Sequence, residues 1–130
     1  MNKLILWSVG LAYIINGLVM WFAPQWWYDT VPGIAQMGLY HKHFVRDIGI
    51  AYGVMGGGIL WAFRDASVGM FACIWPALHA IYHIAIFFHR GMLLDDVSAT
   101  NFLLIQIPAW ASLWVIWNLQ KSKQKTTVAL

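Results

Sequence analysis

Charge is what this sequence has least of. Lys and Arg number eight and Asp and Glu five, together 10% of the 130 residues, where a soluble domain carries roughly a quarter. Such a deficit excludes an ordinary water-soluble fold. Hydrophobic residues at 61% and a mean hydropathy of +0.63 identify a membrane chain instead. Cysteine is nearly absent: Cys73 stands alone in an apolar run, which excludes an internal disulfide and leaves a small core residue. Phosphate-binding glycine loops, hydrolase nucleophile turns, the His-Glu-x-x-His zinc motif and the Glu-x-x-His di-iron pair are missing as well. ATP-driven, triad, zinc-protease and di-iron carboxylate chemistry therefore have no carrier, and the sequence names no reaction. The formal net charge of +3 collects at segment ends rather than along one face. The expected partner is the lipid bilayer, not nucleic acid.

What is present is hydrophobic length. Residues 4–22, 43–63, 67–89 and 101–119 each approach the roughly 20 residues needed to cross a hydrocarbon core. The expected fold is all-α: a four-helix antiparallel transmembrane bundle over residues 1–120, followed by a hydrophilic basic tail over residues 121–130 that is expected to fray. Pro24 ends the first span, and Trp26, Trp27 and Tyr28 beyond it are interfacial anchors. Residues 25–42 form the longest connection. There Thr30 and Pro32 can start a short interfacial helix on which Ile34, Met37 and His41 recur at helical spacing. Arg64 and Asp65 make a tight turn into the third span, and Ser98 or Thr100 can cap the fourth.

Four spans place both termini beside the Arg64 turn. Lys3, Arg64, Lys121, Lys123 and Lys125 lie on that side, against Lys42, Arg46 and Arg90 on the other. The positive-inside rule then puts both termini in the cytoplasm, in a multi-pass protein of the cell membrane.

Glycine is concentrated in the second span. Gly49, Gly53 and Gly57 recur every four residues, a pattern that lets another helix backbone approach closely. Gly53 sits mid-stripe and is expected to tolerate a side chain less well than Gly69, near a span end. Arg46 shares the stripe's side, with adjacent Asp47 as a counter-ion.

The third span carries the most unusual feature, two imidazoles four residues apart at His79 and His83, one turn beyond the helix-interrupting Pro76. Ionisable groups inside a span mark functional sites by default. Counting 1.5 Å per residue puts His83 about 9 Å and His79 about 15 Å below the span end, Asn16 about 10 Å and Gln106 about 8 Å below theirs. Arg46 and Asp47 enter from the same side. The candidate ligand contacts are therefore Arg46, Asp47, His79, His83, Asn16 and Gln106, in a polar pocket of the non-cytoplasmic half. The ligand would be a quinone or a lipid headgroup, or the chain would act as an accessory subunit. A second reading makes His43, Asp47, His79 and His83, two i, i+4 pairs, the ligands of a transition metal. Haem is narrower, because His79 and His83 on one face cannot both be axial ligands of one iron. A third reading treats these groups as interhelical hydrogen bonds in a structural assembly subunit, within a homo-oligomer or a larger membrane complex.

Arg46-x2-Gly49-x2-Tyr52-x3-Gly56, followed by a short basic turn and a third helix ending in Arg90-Gly91, resembles the DoxX-like group of small four-helix bacterial membrane proteins. The resemblance covers about the middle half of the chain. It implies an antiparallel four-helix bundle in the cell membrane. Some members are tied to quinone-linked electron transfer, and most have no assigned activity. The His79 and His83 pair is not part of that group's pattern.

Overall fold

The computed structural model describes residues 2–128, and side chains as far as Lys123. Residues 129–130 of the expected tail lie outside the described residues. Every described element is helical: α1 Asn2–Phe22, α2 Pro24–Thr30, α3 Ile34–Met37, α4 Lys42–Trp61, α5 Ala66–His89, α6 Asp96–Asn101, a π-helical turn Phe102–Gln106, and α7 Ile107–Val128. Three stretches, Asn2–Phe22, Ala66–His89 and Asp96–Lys123, are long and apolar enough to cross a membrane. Their apolar surface faces mostly outward, with only 17% of the α5 window buried inside the chain. α4 is as long as a span, but its five glycines, Lys42, His43, Arg46 and Asp47 dilute its apolar character.

Residue pairings make each neighbouring long helix antiparallel. Gly10 meets Gly56 and Gly17 meets Gly49 between α1 and α4. Gly58 meets Ala72 and Gly69 meets Ala62 between α4 and α5. Cys73 donates to Ser112 between α5 and α7. At one end of the bundle Asn2, Lys3, Ala62, Phe63, Leu119 and Lys123 line a common groove, and Lys123 donates to the Arg64 carbonyl at 3.0 Å. This basic end therefore gathers the described chain ends beside the α4–α5 turn. Lys123 makes this contact on the last helix, and Lys121 lies over the Trp117 ring, 5.0 Å from its centroid.

Lipid tails match apolar side chains for hydrophobicity, so contact depends on close van der Waals fit. The α1–α4 seam supplies it with two glycines from each helix, seven residues apart. A Cβ on Gly10 would stand 2.6 Å from Leu60 Cγ and 3.1 Å from the Gly56 carbonyl oxygen. One on Gly56 would stand 2.5 Å from the Gly10 carbonyl oxygen. The expected four-residue stripe is thus a seven-residue one, because antiparallel helices meet along a nearly straight seam at heptad spacing. Gly53 and Gly57 have open space at their Cβ positions, whereas Gly69 is closed by Ala62 and by Ile116 Cδ1 at 3.1 Å. The expected order of Gly53 and Gly69 is reversed for that reason. Beneath the seam Leu6, Tyr13, Ile59, Cys73, Val115 and Ile116 form the core.

At the opposite, loop end, Pro24 does not merely stop α1. It occupies the first turn of α2, where a missing N–H costs nothing. Two short helices, α2 and α3, fill the connection in place of the single one expected. His41 stays outside α3 and caps α4, its Nδ1 accepting from the Phe44 amide at 3.3 Å. Gly33 adopts φ +89° in the turn between α2 and α3, and a Cβ there would stand 2.7 Å from Val97 of α6. Both the left-handed backbone and the close approach require glycine. Asp95, rather than Ser98 or Thr100, caps α6 by accepting from the Ser98 amide at 3.0 Å.

Candidate functional site

The helical repeat places Trp75, His79 and His83 on one face of α5 at successive turns. Their rings form a continuous strip. The His79 imidazole lies nearly parallel to the Trp75 indole, with centroids 4.6 Å apart and an interplanar angle of 12°. His83 meets His79 edge-on at 4.5 Å and 65°. From α4, Tyr52 sets its edge against Trp75 at 5.4 Å, and from α1, Tyr13 does the same to Tyr52 at 5.4 Å. The strip therefore runs from the buried Tyr13 through three helices to His83, toward the loop end.

These ring contacts hold the imidazoles in place without a hydrogen bond to any of their nitrogens among the described residues. None of those nitrogens is sealed from its surroundings. A neutral imidazole offers one N–H donor and one bare nitrogen acceptor. The pair consequently presents hydrogen-bonding capacity that the protein itself does not satisfy.

The other flank of α5 is held by a chain of amides. The Trp110 indole donates to Gln106 Oε1 at 2.9 Å, and Gln106 Nε2 donates to the Ala80 carbonyl at 2.9 Å and to Asn101 Oδ1 at 3.2 Å. Asn101 Nδ2 in turn donates to the His83 carbonyl at 3.3 Å. Gln106 closes the π turn, two residues before Pro108, whose ring clashes with an ordinary helical carbonyl. Widening that turn accommodates the proline. The amide chain fixes the backbone of α5 between His79 and His83 and at His83 itself while leaving their rings uncommitted.

The remaining predicted residues are spread along the loop end. Asn16 accepts from the Trp27 indole at 3.0 Å, tying α2 back onto α1, and approaches the Met20 sulfur at 3.6 Å. Arg46 Nε donates to the Trp21 carbonyl at 3.1 Å, with its guanidinium 5.3 Å from the Trp21 ring centroid. Asp47 is engaged by His43 rather than Arg46, with Nδ1 to Oδ2 at 2.9 Å on an exposed helix face. The His-x3-Asp and His-x3-His pairs thus each close on themselves. Among the described residues no three His, Cys, Asp or Glu side chains gather as a metal ion would require.

Beyond the helix ends, Arg90 grips Asp95 in a two-pronged ion pair of 2.6 and 3.3 Å. That guanidinium, with the Ser98 amide, holds the Asp95 carboxyl down at about 2 and raises Arg90 above its ordinary value in return. The connection between the third and fourth long helices is thereby fixed at the loop end.

Asn101, Trp75, Tyr52 and Tyr13 complete the constellation without having been singled out as contacts. Trp75-x3-His79-x3-His83 was readable as one helical face. Asn101 was not, since only the folded chain brings it to the His83 carbonyl. No family model, curated protein or solved structure matches the chain.

Proposed function

We propose that this is a four-span membrane protein that binds a small planar lipid-soluble molecule, a quinone by preference, along the Trp75, His79 and His83 strip. One observation carries the proposal: both imidazoles are positioned by ring contacts, His79 stacked on Trp75 and His83 edge-on to His79, yet none of their nitrogens has a protein partner among the described residues. A quinone ring accepts hydrogen bonds at its carbonyl oxygens and stacks on aromatic surfaces, so it matches both properties. Tyr52 would border the ring, and the amide chain of Gln106 and Asn101 would hold α5 in place during binding. The resemblance to DoxX-like proteins, some of them tied to quinone-linked electron transfer, bears on the ligand class alone, because the histidine pair is not part of that group's pattern.

In this reading α4 crosses the membrane despite its polar start, with Lys42, His43 and Asp47 at the interface. Both termini face the cytoplasm, and the histidines occupy the non-cytoplasmic half. An absorption spectrum and metal analysis of the purified protein, with chromatography of its organic extract, test the proposal. Extracted quinone in stoichiometric amount is the expected result. A Soret band or stoichiometric metal would replace it with metal or haem binding. Neither quinone nor metal would favour the assembly-subunit reading.

A further inference from the structure

Arg46 points to a second ligand, away from the histidine strip. An apolar groove of about 170 Å³ runs along the α1–α4 seam, lined by Ile14, Gly17, Leu18, Trp21, Gly49, Ile50 and Gly53. Arg46 lies three and four residues before Gly49 and Ile50 on the same face of α4, and Lys42 lies one turn before Arg46. The groove thus runs inward from a pair of cations. Trp21 joins the two parts, lining the groove and carrying the guanidinium over its ring.

Arg46 is unbalanced where it stands. Its Nε is committed to the Trp21 carbonyl, but among the described residues its Nη groups have no hydrogen bond and no carboxylate lies within ion-pair distance. Adjacent Asp47 is taken by His43. A guanidinium near a membrane interface calls for an anion, and its free fork suits the two oxygens of a phosphate. The groove's volume is close to the roughly 150 Å³ that accommodates a six-carbon hydrocarbon ring, enough for a segment of acyl chain. Phosphate-matching charge above a hydrocarbon-matching groove is the layout of a phospholipid.

We propose that the α1–α4 groove is a binding site for one anionic phospholipid, its phosphate held by Arg46 and Lys42 and one acyl chain laid against Gly49, Ile50 and Gly53. The glycines then have two functions. Gly17 and Gly49 close the helix seam, whereas Gly53, whose Cβ position is open, leaves the floor of the groove empty. This site shares no residue with the histidine strip, so the two proposals stand or fall separately.

Native mass spectrometry of delipidated protein in detergent, titrated with phosphatidylglycerol or with phosphatidylcholine of the same chains, tests it. The wild-type chain should retain phosphatidylglycerol about thirtyfold better, the ratio that the attraction of two basic residues for anionic lipid supplies. Arg46→Gln should lower the ratio to about fivefold, the share that Lys42 alone supplies. Gly53→Leu should fill the groove and reduce retention of both lipids, while Gly57→Leu, equally open but outside the groove, should change neither. Equal retention of the two lipids by wild-type protein, or an undiminished ratio in Arg46→Gln, would overturn the proposal. So would full lipid retention by Gly53→Leu, or its failure to fold, since either contradicts an open groove at that position.

Discussion

Gly17 and Gly49 touch backbone to backbone: the Gly17 carbonyl oxygen lies 2.9 Å from where a Gly49 Cβ would stand, and the Gly49 carbonyl oxygen blocks the Gly17 Cβ position in return. Neither backbone can withdraw without opening the seam between α1 and α4. Leucine at either position should therefore cost more than the roughly 1–3 kcal/mol of ordinary overpacking, whereas Gly53→Leu should leave folding intact. Folded yield and thermal melts of the three variants check this. Equal loss from Gly49→Leu and Gly53→Leu would contradict the seam.

The Trp27 to Asn16 hydrogen bond supports a milder prediction. Trp27→Phe keeps the aromatic bulk and removes the indole donor, leaving Asn16 Oδ1 without it. The expected cost is about 1 kcal/mol, accompanied by faster hydrogen exchange in α2 while α4 and α5 retain their protection. Uniform acceleration through all helices would mean that α2 is integral to the bundle rather than fastened onto it.

Acid should loosen the α5–α6 connection late. The Asp95 carboxyl is held down at about 2 from an ordinary 3.8, so its contribution to stability is complete above about pH 4 and is lost as the pH falls through about 2. Exchange of the Ser98 and Ala99 amides, which donate to Asp95, should stay slow relative to its intrinsic rate down to about pH 3 and quicken below it. Asp95→Asn, which keeps a capping oxygen but not the charge, should abolish the Arg90 ion pair and flatten that pH dependence. A loop that opens already near pH 4 would contradict the ion pair.

Much of this architecture is legible in the residues, and the failures have physical causes. Apolar runs broken by prolines and charges locate the long helices, because length and hydropathy are local properties. Pro24 is ambiguous locally, since a proline ends one helix and begins another equally well. Gly10 and Gly17 sit unnoticed in an apolar run, and only pairing with Gly56 and Gly49 shows their purpose. The histidine pair is visible from its spacing, but the sequence groups it with Arg46, Asp47 and Asn16 on depth alone. Depth does not specify azimuth: Arg46 turns to Trp21, Asp47 to His43, and Asn16 to Trp27.

Whether α4 crosses the bilayer is open to direct chemistry. Single cysteines at Gly38 and Arg64, in a background with Cys73 replaced by Ser, should react with an impermeant maleimide from opposite sides of sealed vesicles, Arg64 from the cytoplasmic side. Labelling of both from one side would leave α4 on the membrane surface.

The central claim is that His79 and His83 hold a ligand rather than the bundle. Its most direct measurement is the quinone content of purified His79→Gln and His83→Gln, taken with the thermal melt of each. Gln retains hydrogen-bonding capacity at similar size, but its amide does not reproduce the imidazole ring beside Trp75. Both variants should lose the quinone while melting without bound ligand as the ligand-free wild type does. Unchanged quinone content with a lowered melt would show that the histidines serve only the fold.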